Sequence, residues 1–177
     1  IGYEAVQVSG LGPIEPEALR DIAVATGVRI VATHISFDSI VQDPARVIAE
    51  HRLWDCPHVA IGGMPQEYRA ADGFARFARD ASRAARPLID AGLSFSYHNH
   101  SFELERFGDR LGLEILYDDS DPAVVCAEID TYWIQHGGAN PVTWLRRLRD
   151  RMKIVHFKDM AVIDGKPTYA EVGAGNL

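Results

Sequence analysis

The sequence predicts an α/β fold: an incomplete (β/α)8 TIM barrel missing about two strands. Three observations predict it. Short apolar runs alternate with amphipathic stretches, a pattern that builds a parallel sheet with right-handed crossovers. Six such strands and their helices fit within 177 residues, the density of a barrel that needs about 250 residues for eight. Polar residues of ligand type sit toward the C-terminal end of several strands, and a parallel barrel collects its active site on that face. The rival open doubly wound sheet lacks a Gly-rich phosphate loop after the first strand. An isolated six-strand arc would leave two bare edges. Residues 1–177 are therefore read as one partial barrel domain.

The elements follow in order. Glu4–Ser9 reads as a strand. Pro16–Thr26 reads as a helix with Leu19, Ile22 and Ala23 on one face and Gly27 as its stop. Val28–Ile35 is a β-branched run and a strand. Asp43-Pro44 is an N-cap followed by proline, so a helix runs to about Trp54. His58–Gly63 is a short strand. Asp72 caps the longest helix, whose apolar stripe is Phe74, Phe77, Ala78, Ala81, Ala85, Leu88 and Ile89, and Gly92 ends it. Leu93–His100 is the next strand, followed by a short helix around Leu113–Tyr117 and a strand over Val124–Asp130. Asn140-Pro141 opens a helix with Val142, Leu145 and Leu148 facing inward, and Lys153–Asp159 is the last strand.

Composition narrows the partners. Lys plus Arg is 18 against 25 Asp plus Glu, a net charge of −7, which does not invite a phosphate backbone. No apolar run has the length of a membrane span. Cys56 and Cys126 read as buried thiols of a reducing, cytoplasmic compartment. A homo-oligomer is compatible with the composition, which does not specify one. The chain opens at Ile1 without a methionine, so either end can be missing.

The chemistry concentrates at strand ends. Val31-Ala32-Thr33-His34, Phe95-Ser96-Tyr97-His98-Asn99-His100, Cys126-Ala127-Glu128-Ile129-Asp130 and Ile154-Val155-His156-Phe157-Lys158 each place polar residues after apolar ones. Strand alternation puts His98 with His100, Glu128 with Asp130, and His156 with Lys158. Imidazole and carboxylate together suit Mn, Zn, Co or Fe as a divalent ion, with Mg compatible but wanting more oxygen ligands. A structural role is the simpler reading for His51, His58 and His136. For His34 the structural and ligand readings stand level. Trp133 and Tyr132 read as pocket wall or core, Gly173 and Gly175 as a turn. Arg146, Arg147, Arg149 and Arg151 read as a solvated face.

These residues resemble the xylose isomerase-like TIM-barrel superfamily, in its sugar phosphate isomerase/epimerase branch. The resemblance is carried by Tyr97-His98-Asn99-His100-Ser101-Phe102-Glu103, by Glu128-Ile129-Asp130-Thr131-Tyr132-Trp133 with Gly137-Gly138 and Asn140-Pro141, by His156-Phe157-Lys158-Asp159-Met160, and by Glu171-Val172-Gly173-Ala174-Gly175. It implies that Gly2-Tyr3-Glu4 begins the second barrel strand and that strands one and eight lie outside the chain. It implies one divalent metal ion (Mn, Co, Zn, Fe or Mg) held by Asp130, His156 and, where the family has Glu, His98. The family's strand-eight Glu falls after Leu177.

The implied activity is isomerisation or epimerisation of a sugar or sugar derivative by proton transfer α to a carbonyl through a metal-stabilised enediolate. The histidine at position 98 departs from the family's two-carboxylate scheme, so His98, His100 and Glu103 become the catalytic candidates. His34, Trp133 and Lys158 are the substrate-binding candidates. The rivals are an inosose-dehydratase-like lyase acting on a keto-polyol, an endonuclease IV-like enzyme that the acidic balance disfavours, and a degenerate sugar-binding barrel. The expected partner is a small carbohydrate, with no nucleic acid and no membrane.

Overall fold

The computed structural model describes residues 2–70 and 72–177. Six strands pair in chain order, each parallel to the next: β1 (Ala5–Val8), β2 (Arg29–Ile35), β3 (His58–Ile61), β4 (Ser94–His98), β5 (Val125–Asp130) and β6 (Met152–His156). Unbroken sequential order is the barrel winding, not the doubly wound one. The sheet is curled. Gln7, on the first strand, hydrogen-bonds Glu128 on the fifth (3.0 Å) and His156 on the sixth (2.6 Å). All six residues of β5 are buried, as expected for a parallel strand covered on both faces.

Among the described residues eight α-helices cover the outside. Helix α1 (Pro16–Thr26) starts on a proline and ends where Gly27 turns left-handed at φ 69°, as expected. Ile22 is 53% exposed, however; only Leu19 of this helix is buried. A short α2 (Phe37–Gln42), capped by Ser36 accepting from the Ser39 N–H, has too few residues to show a period. Helix α3 (Pro44–Leu53) is capped by Asp43 as expected.

The long helix expected from Asp72 is two helices, α4 (Gly73–Ala84) and α5 (Arg86–Asp90). Pro87 has no N–H to continue the ladder, so the chain restarts there. Asp72 is not a cap either: its backbone is already helical and its side chain caps nothing. The start is set by Gly73, where a Cβ would collide with the Tyr68 carbonyl. The stripe itself is buried as read, from Phe74 to Leu88.

Helices α6 (Gly112–Asp119), α7 (Thr131–His136) and α8 (Pro141–Leu148) close the C-terminal half. In α8 the inward residues are Trp144 and Leu148, while Val142 is 48% exposed. Arg151 is not on a solvated face: its guanidinium donates to the carbonyls of Tyr117 and Val125. It thereby satisfies backbone groups between α6 and β5.

The expected last strand ends at His156, and Asp159 instead begins a hairpin, β7 (Asp159–Ile163) with β8 (Lys166–Ala170). Its turn is Asp164-Gly165, both at positive φ (51° and 75°), the geometry that Asp-Gly favours between paired strands. Asp159 fastens the following loop. Its carboxylate accepts from the N–H groups of Gly173 (2.9 Å), Gly175 (3.1 Å) and Leu177 (3.1 Å). Those donors are thus committed to a turn, and a Cβ at Gly175 would collide with the carboxylate. Among the described residues no helix is long and apolar enough to cross a membrane.

Candidate functional site

The C-terminal ends of the strands open onto a cavity of about 620 Å3 lined by Gln7, Ser9, His34, His98, His100 and Trp133, with His156, Lys158 and Tyr169. Inward-facing residues alternate along β5, so Glu128 and Asp130 both point into the barrel. Asp130 is fully buried. Its Oδ2 lies 3.2 Å from His98 Nε2, 3.6 Å from His156 Nδ1 and 2.6 Å from Lys158 Nζ. His98 Nε2 lies 3.1 Å from His156 Nδ1. The Asp130 backbone N–H is held by Asn99 Oδ1 at 3.0 Å, and its second carboxylate oxygen caps α7 at Trp133 N. The residue is thus pinned at backbone and side chain.

Glu128 lies one strand repeat deeper and is also fully buried. It accepts from Gln7 Nε2 and from His34 Nε2 at 2.7 Å, with His156 Nε2 at 2.8 Å. Two ligand sets result, His98–Asp130–His156 and His34–Glu128–His156.

The charges are matched. Burial alone would push the two carboxylates up, but hydrogen bonds from His156 and its neighbours hold Glu128 at about 2 and Asp130 well below the usual range. Burial pulls His156 down, yet the Asp130 and Glu128 carboxylates outweigh it and push the ring up to about 9. His98 is lowered, first by burial. His100 is lowered to about 4 by burial and by His98, so its ring is neutral at neutral pH.

The candidates thus divide. His98, Asp130 and His156 come together, and His34, His100, Trp133 and Lys158 line the same cavity. Glu103 does not. It is fully buried, its carboxylate accepting from the Tyr97 hydroxyl (2.7 Å) and the His100 backbone N–H (3.0 Å). It holds the segment that carries His100. His51 is structural as read, bridging Thr33 and the Val47 carbonyl.

Sequence reasoning missed Gln7, Ser9 and Tyr169. Gln7 sits mid-strand with no motif, and only curling brings it to His156. Tyr169 arrives on the β7–β8 hairpin, its ring centroid 4.2 Å from Tyr132 and 6.2 Å from Trp133. The Asp164-Gly165 dipeptide was the available signal for that hairpin.

Burial pushes Glu103 up to about 7, which sets a sign. A carboxyl raised above its unfolded value favours the protonated chain, so its stabilisation is complete below about pH 4.5 and lost as pH rises toward about 7. Glu103→Gln is expected to flatten the fall in urea-unfolding free energy across that window. An unchanged slope would rule out Glu103 as its source.

No protein-family model and no curated protein matches the chain. Solved structures do. A sugar phosphate isomerase/epimerase from Parabacteroides distasonis superposes with TM-score 0.79 at 21% identity, over 93% of this chain and 71% of that one. A xylose isomerase domain protein from Planctomyces limnophilus gives 0.67 at 18% identity, over 97% and 73%. The fold is a TIM barrel. Six of its eight strands are those described here. An AP endonuclease, family 2, from Brucella melitensis also matches, with TM-score 0.64 at 11% identity over 99% and 74%. One fold thus carries proteins named for different chemistries, and the fold alone does not assign a chemistry to this chain.

Proposed function

We propose that this chain is a metal-dependent isomerase or epimerase of a sugar or sugar derivative, moving a proton α to a carbonyl. One observation carries the reading: His98 Nε2, Asp130 Oδ2 and His156 Nδ1 stand 3.1, 3.2 and 3.6 Å apart at the barrel mouth. Neighbouring ligands on one ion with bonds of about 2.1 Å lie about 3.0–3.4 Å apart; two of the three spacings fall in that range and the third, at 3.6 Å, lies just beyond it. His98 Nδ1 is buried without a partner, so this ring lacks the outer hydrogen bond that usually orients a metal-bound histidine. When bound, such an ion supplies Lewis-acid polarisation of substrate oxygen.

The chain's own residues do the rest. Trp133 and Tyr169 offer aromatic faces to the C–H face of a sugar ring. Lys158, on the cavity wall, supplies an ammonium for a carbonyl or hydroxyl oxygen. His100 is neutral, and its Nδ1 has no hydrogen-bond partner. In this reading His100, whose ring lines the cavity, is the base that takes a proton from carbon and returns it. The cavity has room for a monosaccharide, and the acidic balance disfavours nucleic acid. The name of the Parabacteroides neighbour points the same way.

The test incubates the chain with Mn2+ and a panel of keto-sugars in D2O and follows the C–H α to the carbonyl by proton NMR. Metal-dependent deuterium uptake, lost in His100→Ala, is the expected result. Uptake that survives in His100→Ala removes His100 as the base, and no uptake with any keto-sugar overturns the activity.

A further inference from the structure

We infer that the barrel mouth holds a second divalent cation, on His34, Glu128 and His156, with the His156 ring bridging it to the first. The inference rests on the metal-dependent reading above, shares His156 with it and adds His34 and Glu128. Three observations carry it.

The first is which atom of His156 faces what. Its Nδ1 faces the upper set, 3.1 Å from His98 Nε2 and 3.6 Å from Asp130 Oδ2. Its Nε2 faces the lower set, 2.8 Å from Glu128 Oε1 and 2.6 Å from Gln7 Oε1. One ring thus presents a different nitrogen to each group.

The second is spacing. Glu128 and Asp130 are two residues apart on β5, so their layers are separated by about 6.6 Å. Two ions on opposite nitrogens of one imidazole, each with a bond of about 2.1 Å, lie about 6 Å apart. The strand repeat and the ring span match, so neither site has to move to admit the other.

The third is the donor chemistry of the lower set. His34 Nε2 and His156 Nε2 stand 2.7 and 2.8 Å from one fully buried carboxylate oxygen. That is a little inside the spacing of neighbouring ligands on one ion. The Gln7 amide oxygen is a fourth donor beside His156. His34 and His156 line the cavity, which opens a route for an ion. Two imidazoles with carboxylate and amide oxygen suit Zn2+, Co2+ or Mn2+. Loading both sites sends both His156 ring protons to solvent, and the ring then binds as an imidazolate.

The test is metal stoichiometry. The full chain is dialysed against Zn2+ and separately against Mn2+, freed of unbound metal, and measured by elemental analysis and by calorimetric titration. Wild type is expected to hold two ions per chain. Glu128→Gln and His34→Ala are each expected to hold one, Asp130→Asn one, and His156→Ala none. Circular dichroism and thermal melts check that each variant is folded; His34→Ala, which trims a half-buried ring, keeps the test open if Glu128→Gln is not. A single ion in wild type, kept in Glu128→Gln and His34→Ala but lost in Asp130→Asn, overturns the second site and leaves the proposed function standing. Two ions that persist in both Glu128→Gln and His34→Ala also overturn it. No ion in wild type removes the metal-dependent reading as well.

Discussion

Asp130→Ala is expected to abolish metal retention at the upper site and to destabilise the chain by about 3–5 kcal/mol. The carboxylate is fully buried and carries four contacts: Lys158 Nζ, His98 Nε2, His156 Nδ1 and the Trp133 N–H. Removing it leaves Lys158 and the raised His156 facing one another without their common counter-charge, and it uncaps α7. The loss of the cap alone costs about 1 kcal/mol. Elemental analysis after purification without chelator, paired with urea unfolding, checks both parts. Retention of stoichiometric metal on His98 and His156 in the variant would sink the assignment of Asp130 as a ligand. Unchanged stability would mean that the charges it neutralises escape to water.

Phe77→Ala is expected to cost about 3–5 kcal/mol without changing the ligand set. Phe77 is completely buried on α4, with ring centroids 5.0 Å from Phe37, 5.2 Å from Tyr68 and 5.7 Å from Tyr97. Truncation opens a cavity that four elements line, and the rings around it cannot all close on it. The urea midpoint should fall with an unchanged m-value. A loss below about 1.5 kcal/mol would show that the neighbouring rings collapse into the space. Metal content of the folded variant should match wild type, because the rings packed on Phe77 are Phe37, Tyr68 and Tyr97, none of them a candidate ligand.

Much of the fold was legible because parallel barrel strands are short apolar runs with ligand-type residues at one end. Val124–Asp130 could be read as a strand, and its alternation put Glu128 and Asp130 on one face, where they lie. Elements with fewer residues than a clear period were not legible: α2 has six residues and α7 has six. Helix faces were read least well where burial depends on which neighbour arrives. Ile22 and Val142 fit their stripes by spacing yet are exposed. Position within a motif likewise misled for Glu103. Its nearness to His98 and His100 in the chain suggested chemistry, whereas its carboxylate ties the Tyr97 hydroxyl to the His100 backbone beneath the cavity.

The sequence by itself determined the alternation of strand and helix and the rim on which the polar residues gather. Both follow from periodicity along the chain, which is a local property; the grouping of His98, Asp130 and His156 came from the family resemblance. Only the tertiary structure decided that Gln7 reaches Glu128 and His156 across 121 and 149 residues, that Tyr169 closes against Trp133, and that one imidazole faces both carboxylates. The physical reason is the curl of the sheet: side-chain alternation says which face a residue takes, but sheet curvature alone sets which distant strands that face brings into contact.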